Sequence, residues 1–282
     1  MARSPFLRLA PPGHFYSPIP DLEEIAARSA RLFRRDVADC PGIDLRVEAQ
    51  IDRLDRLAAY YGDLPFPDAP GGSTRYHYDN GFFSHGDAII LYSTLRHDRP
   101  RRVIEVGSGF SSALMLDVNE LFLDESIRFT FIEPHPDRLL GLLTADDRRR
   151  HAILATPVQE VPLDLFRELQ AGDLLFIDSS HVVKIGSDVT RIVFDILPVL
   201  RPGVLIHFHD VLWPFEYPEE WLLKGRAWNE AYFLRAFLQY NRSFEIEYFN
   251  SYVAGMHGEV LRRRMPLCLK NPGGSLFIRK SS

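Results

Sequence analysis

Two short segments carry the side chains best suited to proton and cation chemistry. Phe176-Ile177-Asp178-Ser179-Ser180-His181 ends an apolar run with a carboxylate and an imidazole, and His207-Phe208-His209-Asp210 ends the next such run in the same way. If the two runs are neighbouring strands, they lie about 4.8 Å apart, so Asp178 and Asp210 are placed to share one cation. Oxygen donors suit magnesium, whereas a nitrogen ligand from His209 shifts the preference toward manganese, iron or zinc. His209 and Asp210 point to opposite faces of a regular strand, so both ligate only if the strand has ended at His209, and Asp210 ranks first. His181 is matched to accepting a hydroxyl proton near neutral pH, while the cation lowers that hydroxyl's pKa. Lys184 is a second base whose amine needs a depressed pKa, and its position reads as a helix start. The bland alternative is that both aspartates cap helices and the histidines are satisfied polar groups at strand ends.

A second pattern speaks for a cofactor. In Glu105-Val106-Gly107-Ser108-Gly109-Phe110-Ser111-Ser112, glycines at a strand end allow a sharp bend and close approach to a ligand, and Ser111 or Ser112 is able to cap the following helix. A dinucleotide fingerprint needs a third glycine where Ser112 stands, and Glu105 sits poorly beside phosphates. A cationic cofactor is the better electrostatic match. Glu133 closes the second strand before Pro134, where a carboxylate accepts hydrogen bonds from ribose hydroxyls.

The elements that must position these groups follow from periodicity. Apolar spacing predicts amphipathic helices over 21–38 and 43–61, then a Pro/Gly-rich linker over 62–74. This gives an N-terminal helical appendage or lid over 1–75 and a catalytic domain over 76–282. A Ser84-x-x-Asp87 capping pattern opens a helix to Leu95. Strands are predicted at 103–106, 129–132, 152–154, 174–177 and 204–208, alternating with helical segments. A long helix over 218–240 and strands at 244–249 and 275–279 follow. The alternation predicts a Rossmann-like, doubly wound α/β fold, its sheet mostly parallel and seven-stranded with an antiparallel last strand. Trp213, Trp221 and Trp228 would overhang the site, and Tyr76, Tyr78, Asn80, Phe82, Phe83 and His85 precede the first core helix.

Composition limits the partners. The 282 residues carry a formal charge of −5, and the basic runs are the short triplets at Arg148–Arg150 and Arg262–Arg264, so nucleic acid is a poor partner. Cys40 and Cys268 make no disulfide framework and fit a reducing cytoplasm. Neither a signal peptide in Met1 to Ile19 nor a membrane span is read. The apolar faces of the first two helices suit a homo-oligomer.

The turn over 103–112, the acid Glu133 and Gly273-Gly274-Ser275-Leu276-Phe277 before the terminal strand together resemble the class I S-adenosylmethionine-dependent methyltransferases, over roughly 84–280. That resemblance implies S-adenosyl-L-methionine as cofactor, held by Glu105, Gly107, Ser108, Gly109, Ser111 and Asp178, with Glu133 on the ribose and Val158 and Gln159 on the adenine. Asp178, His181 and Asp210 further resemble the catechol-type and macrolide-sugar O-methyltransferases, which implies a divalent metal (magnesium or manganese) on Asp178, His209 and Asp210, and His181 as base. Those families carry an acid where this chain has His209. The function expected is methyl transfer to a hydroxyl of a small molecule (a sugar, natural product or aromatic). The alternatives are a metal-independent O- or N-methyltransferase, or a non-catalytic cofactor-binding subunit.

Overall fold

The structure, a computed structural model, describes residues 4–282, so the first three residues of the Met1 to Ile19 reading lie outside the described residues. Apolar runs over Arg102–Val106 (β1), Arg128–Ile132 (β2), Ala152–Leu154 (β3), Leu174–Ile177 (β4) and Leu205–Phe208 (β5) form parallel neighbours. Phe244–Phe249 (β6) and Leu276–Lys280 (β7) complete a seven-stranded sheet in the order β3-β2-β1-β4-β5-β7-β6. Only β7 runs against the others, pairing antiparallel with both β5 and β6. The residues of β4 and β5 are all buried, as strands covered on both faces must be. The chain leaves β1 toward β2 and β3, then returns to place β4 on the other side of β1. That reversal opens a crevice beyond the carboxyl ends of β1 and β4, where doubly wound sheets bind ligands.

The helices depart from the periodic reading in instructive places. Among the described residues the N-terminal part holds Pro5–Leu9 (α1), Leu22–Leu32 (α2) and Val47–Leu57 (α3), shorter than the expected 21–38 and 43–61. Asp21 caps α2 by accepting from the amides of Glu23 and Glu24. No residue of α2 is buried. By contrast α3 is fastened into the core: Leu54 and Leu57 are fully buried, Gln50 accepts from the Phe249 amide at 2.9 Å, and Arg53 pairs with Asp98 at 2.7 Å.

The expected capping box at Ser84 and Asp87 does not form. His85–Asp98 (α4) begins after Ser84, but the Ser84 hydroxyl bonds outward and makes no cap. Asp87 is instead claimed by the loop before β7. It accepts from the Ser275 amide and hydroxyl, the Gly274 amide and the Asn250 side chain. A buried carboxylate takes the donors packed against it, and here these come from a segment nearly two hundred residues away. Gly273 makes this possible, since its φ is +76° and a Cβ there would strike the Asp87 carboxylate.

The single helix expected over 218–240 is two, Glu219–Leu223 and Glu230–Leu238. Gly225 takes φ +88° at the break, and the amides of Asn229 and Glu230 donate to the His181 carbonyl at 3.1 Å instead of to the preceding turn. Likewise Lys184 lies before the helix start, which Ser187 caps by accepting from the Thr190 amide.

Asp87→Ala leaves buried donors from Asn250, Gly274 and Ser275 without acceptors, each costing about 1–3 kcal/mol. Urea unfolding is expected to show a loss of roughly 3 kcal/mol with an unchanged slope.

Candidate active site

The glycine turn is built by close approach. Gly107 has φ +79°, and a Cβ on it would lie 2.0 Å from the carbonyl oxygen of Asp178. The Gly107 amide donates to Ile132 O and the Asp178 amide to Val106 O, so the ends of β2, β1 and β4 are tied together there. Beneath the turn, Glu105 is fully buried and accepts hydroxyl bonds from Ser111, at 2.6 Å, and from Ser112. The Ser112 oxygen in turn accepts from the Gly109 amide, which locks the start of the helix Phe110–Phe122 (α5). Burial pushes the Glu105 carboxyl up to about 8 despite these hydroxyls. Glu105 therefore shapes the turn from below and lines neither of the cavities described next.

Two cavities meet at Asp178. The smaller, about 370 Å³, is lined by Gly107, Glu133, Val158, Gln159 and Lys184, so the residues expected around an adenosine are brought together. Glu133 is already oriented, accepting from the Ser108 amide at 3.2 Å and the His135 amide at 2.8 Å. Gln159 donates to Gly186 O. Lys184, expected as an alternative base, opens onto this smaller cavity and not onto its neighbour.

The larger cavity, about 880 Å³, is lined by Ser108, Gly109, Ser111, Asp178, His209 and Asp210 on the sheet side. Its roof is formed by Gly81, Phe82, Phe83 and Ser84, at the end of the segment that begins at Tyr76. Arg75 holds that segment down through Asp117, Glu120 and Asp147, and Asn80 bonds across it to Phe82, Phe83 and His77. Phe82 is 60% exposed and carries the Arg138 guanidinium 4.0 Å above its ring centroid. The Arg138 stem lies over Gly109. Tyr76 and Tyr78 are core residues instead.

At the floor, β5 has ended at Phe208 and Asp210 takes φ +55°, so His209 and Asp210 both turn into the cavity. His181, at φ +60°, places its Nε2 3.4 Å from Asp178 Oδ1 and 3.8 Å from Asp210 Oδ2. Its Nδ1 meets the buried carboxylate of Glu230 at 2.9 Å, and Glu230 also accepts from the Ser179 hydroxyl. Burial alone would lower the His181 pKa, but Asp178 and Glu230 outweigh it and push it up to about 10. Burial would likewise raise Asp178, yet His209 and His181 hold it below the ordinary carboxylate value. His209 is raised in net, burial being outweighed by Asp210, Asp178 and Asp87.

These groups do not stand as a metal ligand sphere. Among the described residues no three His, Cys, Asp or Glu side chains converge closely enough to hold an ion. His209 Nε2 is 3.7 Å from Asp210 Oδ1, and its buried Nδ1 has no hydrogen-bond partner. The expected set of Asp178, His209 and Asp210 thus shares one cavity without being assembled, because an imidazole from His181 stands between the two aspartates.

Sequence reading missed Glu230, Asp87, Arg138 and Arg226. Glu230 sits at the start of the helix Glu230–Leu238, where an acid reads as an ordinary first-turn residue. The loop Gly273-Gly274 was the available signal for a partner such as Asp87.

A family model described as "Methyltransferase domain" matches residues 104–211. An uncharacterized protein of Archaeoglobus fulgidus is 37% identical over 168 residues, 58% of this chain and 75% of its own. Similar solved structures include the Podospora anserina methyltransferase PaMTH1 bound to SAH (16% identity, covering 94% of this chain and 99% of that one, TM-score 0.45). The O-methyltransferase TomG of Streptomyces achromogenes, involved in tomaymycin synthesis and complexed with SAM, is another (14% identity, 92% and 96% covered, TM-score 0.41).

The pKa of Glu105 sets a test. A carboxyl raised from 4.5 to about 8 keeps its proton in the folded state while the unfolded chain loses it. Its contribution to stability is therefore full below about pH 4.5 and is lost as pH rises through about 8. Glu105→Gln removes that slope. In cofactor-free protein, stability of the variant relative to wild type is expected to rise between pH 5 and 8.5, and parallel curves would refute the assignment.

With the glycine turn and its two acids at the reversal point of this sheet, and a methyltransferase-domain match running from β1 to the end of β5, the chain belongs to the class I S-adenosylmethionine-dependent methyltransferases.

Proposed function

We propose that this methyltransferase acts on a hydroxyl of a small molecule, with the His181–Glu230 pair as its proton acceptor. The observation that carries the reading is the imidazole itself: Nδ1 is fixed on a buried carboxylate, while Nε2 lies between Asp178 and Asp210, two aspartates that face the larger cavity. An acidic partner on one ring nitrogen sets the tautomer and steadies the imidazolium that forms when the other takes a proton.

In this reading the adenosine occupies the smaller cavity, with its ribose on Glu133 and its adenine by Val158 and Gln159. The methionine end passes Asp178 into the larger one, where Ser108, Gly109 and Ser111 line the wall and Arg138 pairs with the carboxylate. S-adenosylmethionine supplies an electrophilic methyl on a cationic sulfur. Asp178, already beside the His181 imidazole, would also face that charge, and sharing the carboxylate between two cations would favour the neutral imidazole. With the methyl transferred from sulfur to the acceptor oxygen and the neutral thioether left behind, His181 would accept the proton that the hydroxyl loses. In-line placement of oxygen, carbon and sulfur provides much of the acceleration.

A metal-assisted variant of the same reaction is favoured by one observation, that Asp178, His209 and Asp210 all line the larger cavity. Magnesium or manganese would be held by Asp178, His209 and Asp210 and would act as a Lewis acid on the acceptor oxygen. We further propose a cytoplasmic setting and self-association through the exposed apolar residues Phe6, Leu9, Phe15 and Tyr16. Among the described residues no helix is long and apolar enough to cross a membrane.

Glu230→Gln keeps the shape but loses the charge behind His181. It is expected to lower kcat about 10²-fold, within the usual range for general-base catalysis, while the calorimetric affinity for S-adenosylmethionine changes little. Equal kcat in wild type and variant would remove His181 from the proton path. Separately, exhaustive chelation distinguishes the two readings: full activity selects the His181–Glu230 route alone, and a loss restored by manganese or magnesium selects the metal-assisted one.

A further inference from the structure

The break between Glu219–Leu223 and Glu230–Leu238 does more than deliver Glu230. It turns residues 224–229 toward the larger cavity, and Arg226 comes with them. Its guanidinium lies 4.9 Å from the Trp221 ring centroid and 5.1 Å from that of Trp228, so two indoles orient its planar head. Its own amide donates to the Trp221 carbonyl, which fixes the start of the side chain as well. Among the described residues no carboxylate lies within ion-pair distance of it, although Glu216, Glu219 and Glu220 are close in sequence. Arg35 adds a second positive charge on the same cavity. It donates to the carbonyls of Trp213 and Glu216 at 2.6 and 2.7 Å and makes no ion pair. Burial lowers its pKa, partly offset by Glu216.

Resting on the hydroxyl-methylation reading, we infer that the acceptor is a hydroxylated ring compound bearing a carboxylate, and that Arg226 is the residue that selects it. A guanidinium set against an edge-to-face pair of indoles presents a fork of N–H donors to a planar oxyanion, and the neighbouring rings give an aromatic acceptor a surface to stack on. A singly charged carboxylate suits the place better than a dianion, because Asp178 and Asp210 share the cavity and repel excess negative charge. The acid end of the acceptor rests on Arg226 while its hydroxyl faces His181. Trp228 couples the two positions, since its ring lies 4.3 Å from that of His181 and also carries Arg226. Arg226 touches the acceptor away from the reacting oxygen, so its effect falls on discrimination between acceptors.

The test uses matched pairs, beginning with 3,4-dihydroxybenzoate against 3,4-dihydroxybenzamide and extending to other hydroxy-acid and hydroxy-amide pairs, with S-adenosylhomocysteine formation as the readout. Wild type is expected to favour the acids by roughly tenfold or more in kcat/KM, the scale of one charge-assisted contact. Arg226→Gln should bring that ratio to about one, and Arg226→Lys should keep part of it. A wild type indifferent to the charge, or an Arg226→Gln variant that keeps the preference, overturns the inference. A purely structural Arg226 would lower both rates together and leave the ratio in place. If neither member of any pair is methylated, the hydroxyl reading fails and the subsite is read separately by calorimetry on protein saturated with S-adenosylmethionine. Binding of the acid but not the amide, abolished in Arg226→Gln, upholds the anion subsite. No binding of the acids overturns it.

Discussion

The site depends on how closely the ends of β1 and β4 approach. Only a hydrogen atom fits between Gly107 and the Asp178 carbonyl, and the two strands are locked at that point by backbone bonds. This contact sets the position of Asp178, the one residue common to both cavities, and with it the place where the two halves of a cofactor would join. Everything at the neighbouring strand end is then measured from Asp178: His209 follows in register, His181 turns back toward it, and Asp210 comes one residue later.

Charge balance is the second organising fact. Asp178, Asp210, Glu230 and Asp87 surround His181 and His209 in a mostly buried space. Carboxylates at this density would repel one another strongly without cations among them. In the resting protein the imidazoles meet that need, His181 by lying between Asp178 and Asp210. The arriving cofactor is also a cation. On the proposed placement its entry would exchange one positive charge for another and so would couple cofactor occupancy to release of the imidazole.

Much of the framework was legible in the sequence because it is written locally. The alternation of apolar runs with helical segments identifies the parallel strands to within a residue or two, and Glu105-x-Gly107-x-Gly109 with Glu133 identifies the crevice. What escaped was written across distance. Asp87 looked like a capping residue because its true partners, Gly274 and Ser275, follow it by nearly two hundred positions. The helix over 218–240 looked continuous because apolar spacing cannot show that the His181 carbonyl takes the amides of Asn229 and Glu230. Glu230 and Arg226 reach the cavity only through that break. Asp178, His181, His209 and Asp210 were found as a set because each follows an apolar run, but their mutual arrangement, with His181 between the aspartates, needed the folded chain.

The position of β7 has a consequence for how such a site comes into being. β7 lies between β5 and β6 although it follows both in the chain, and the loop leading into it is clamped by Asp87 on α4, a helix made long before. While the ribosome is still producing the segment after β6, the β7 edge of β5 has no neighbour, and His209 and Asp210 lie at the end of a strand whose partner is β4 alone. Strand order thus separates the ends of β1, β2 and β4, made early, from the end of β5, whose second edge is covered only once β7 has been made.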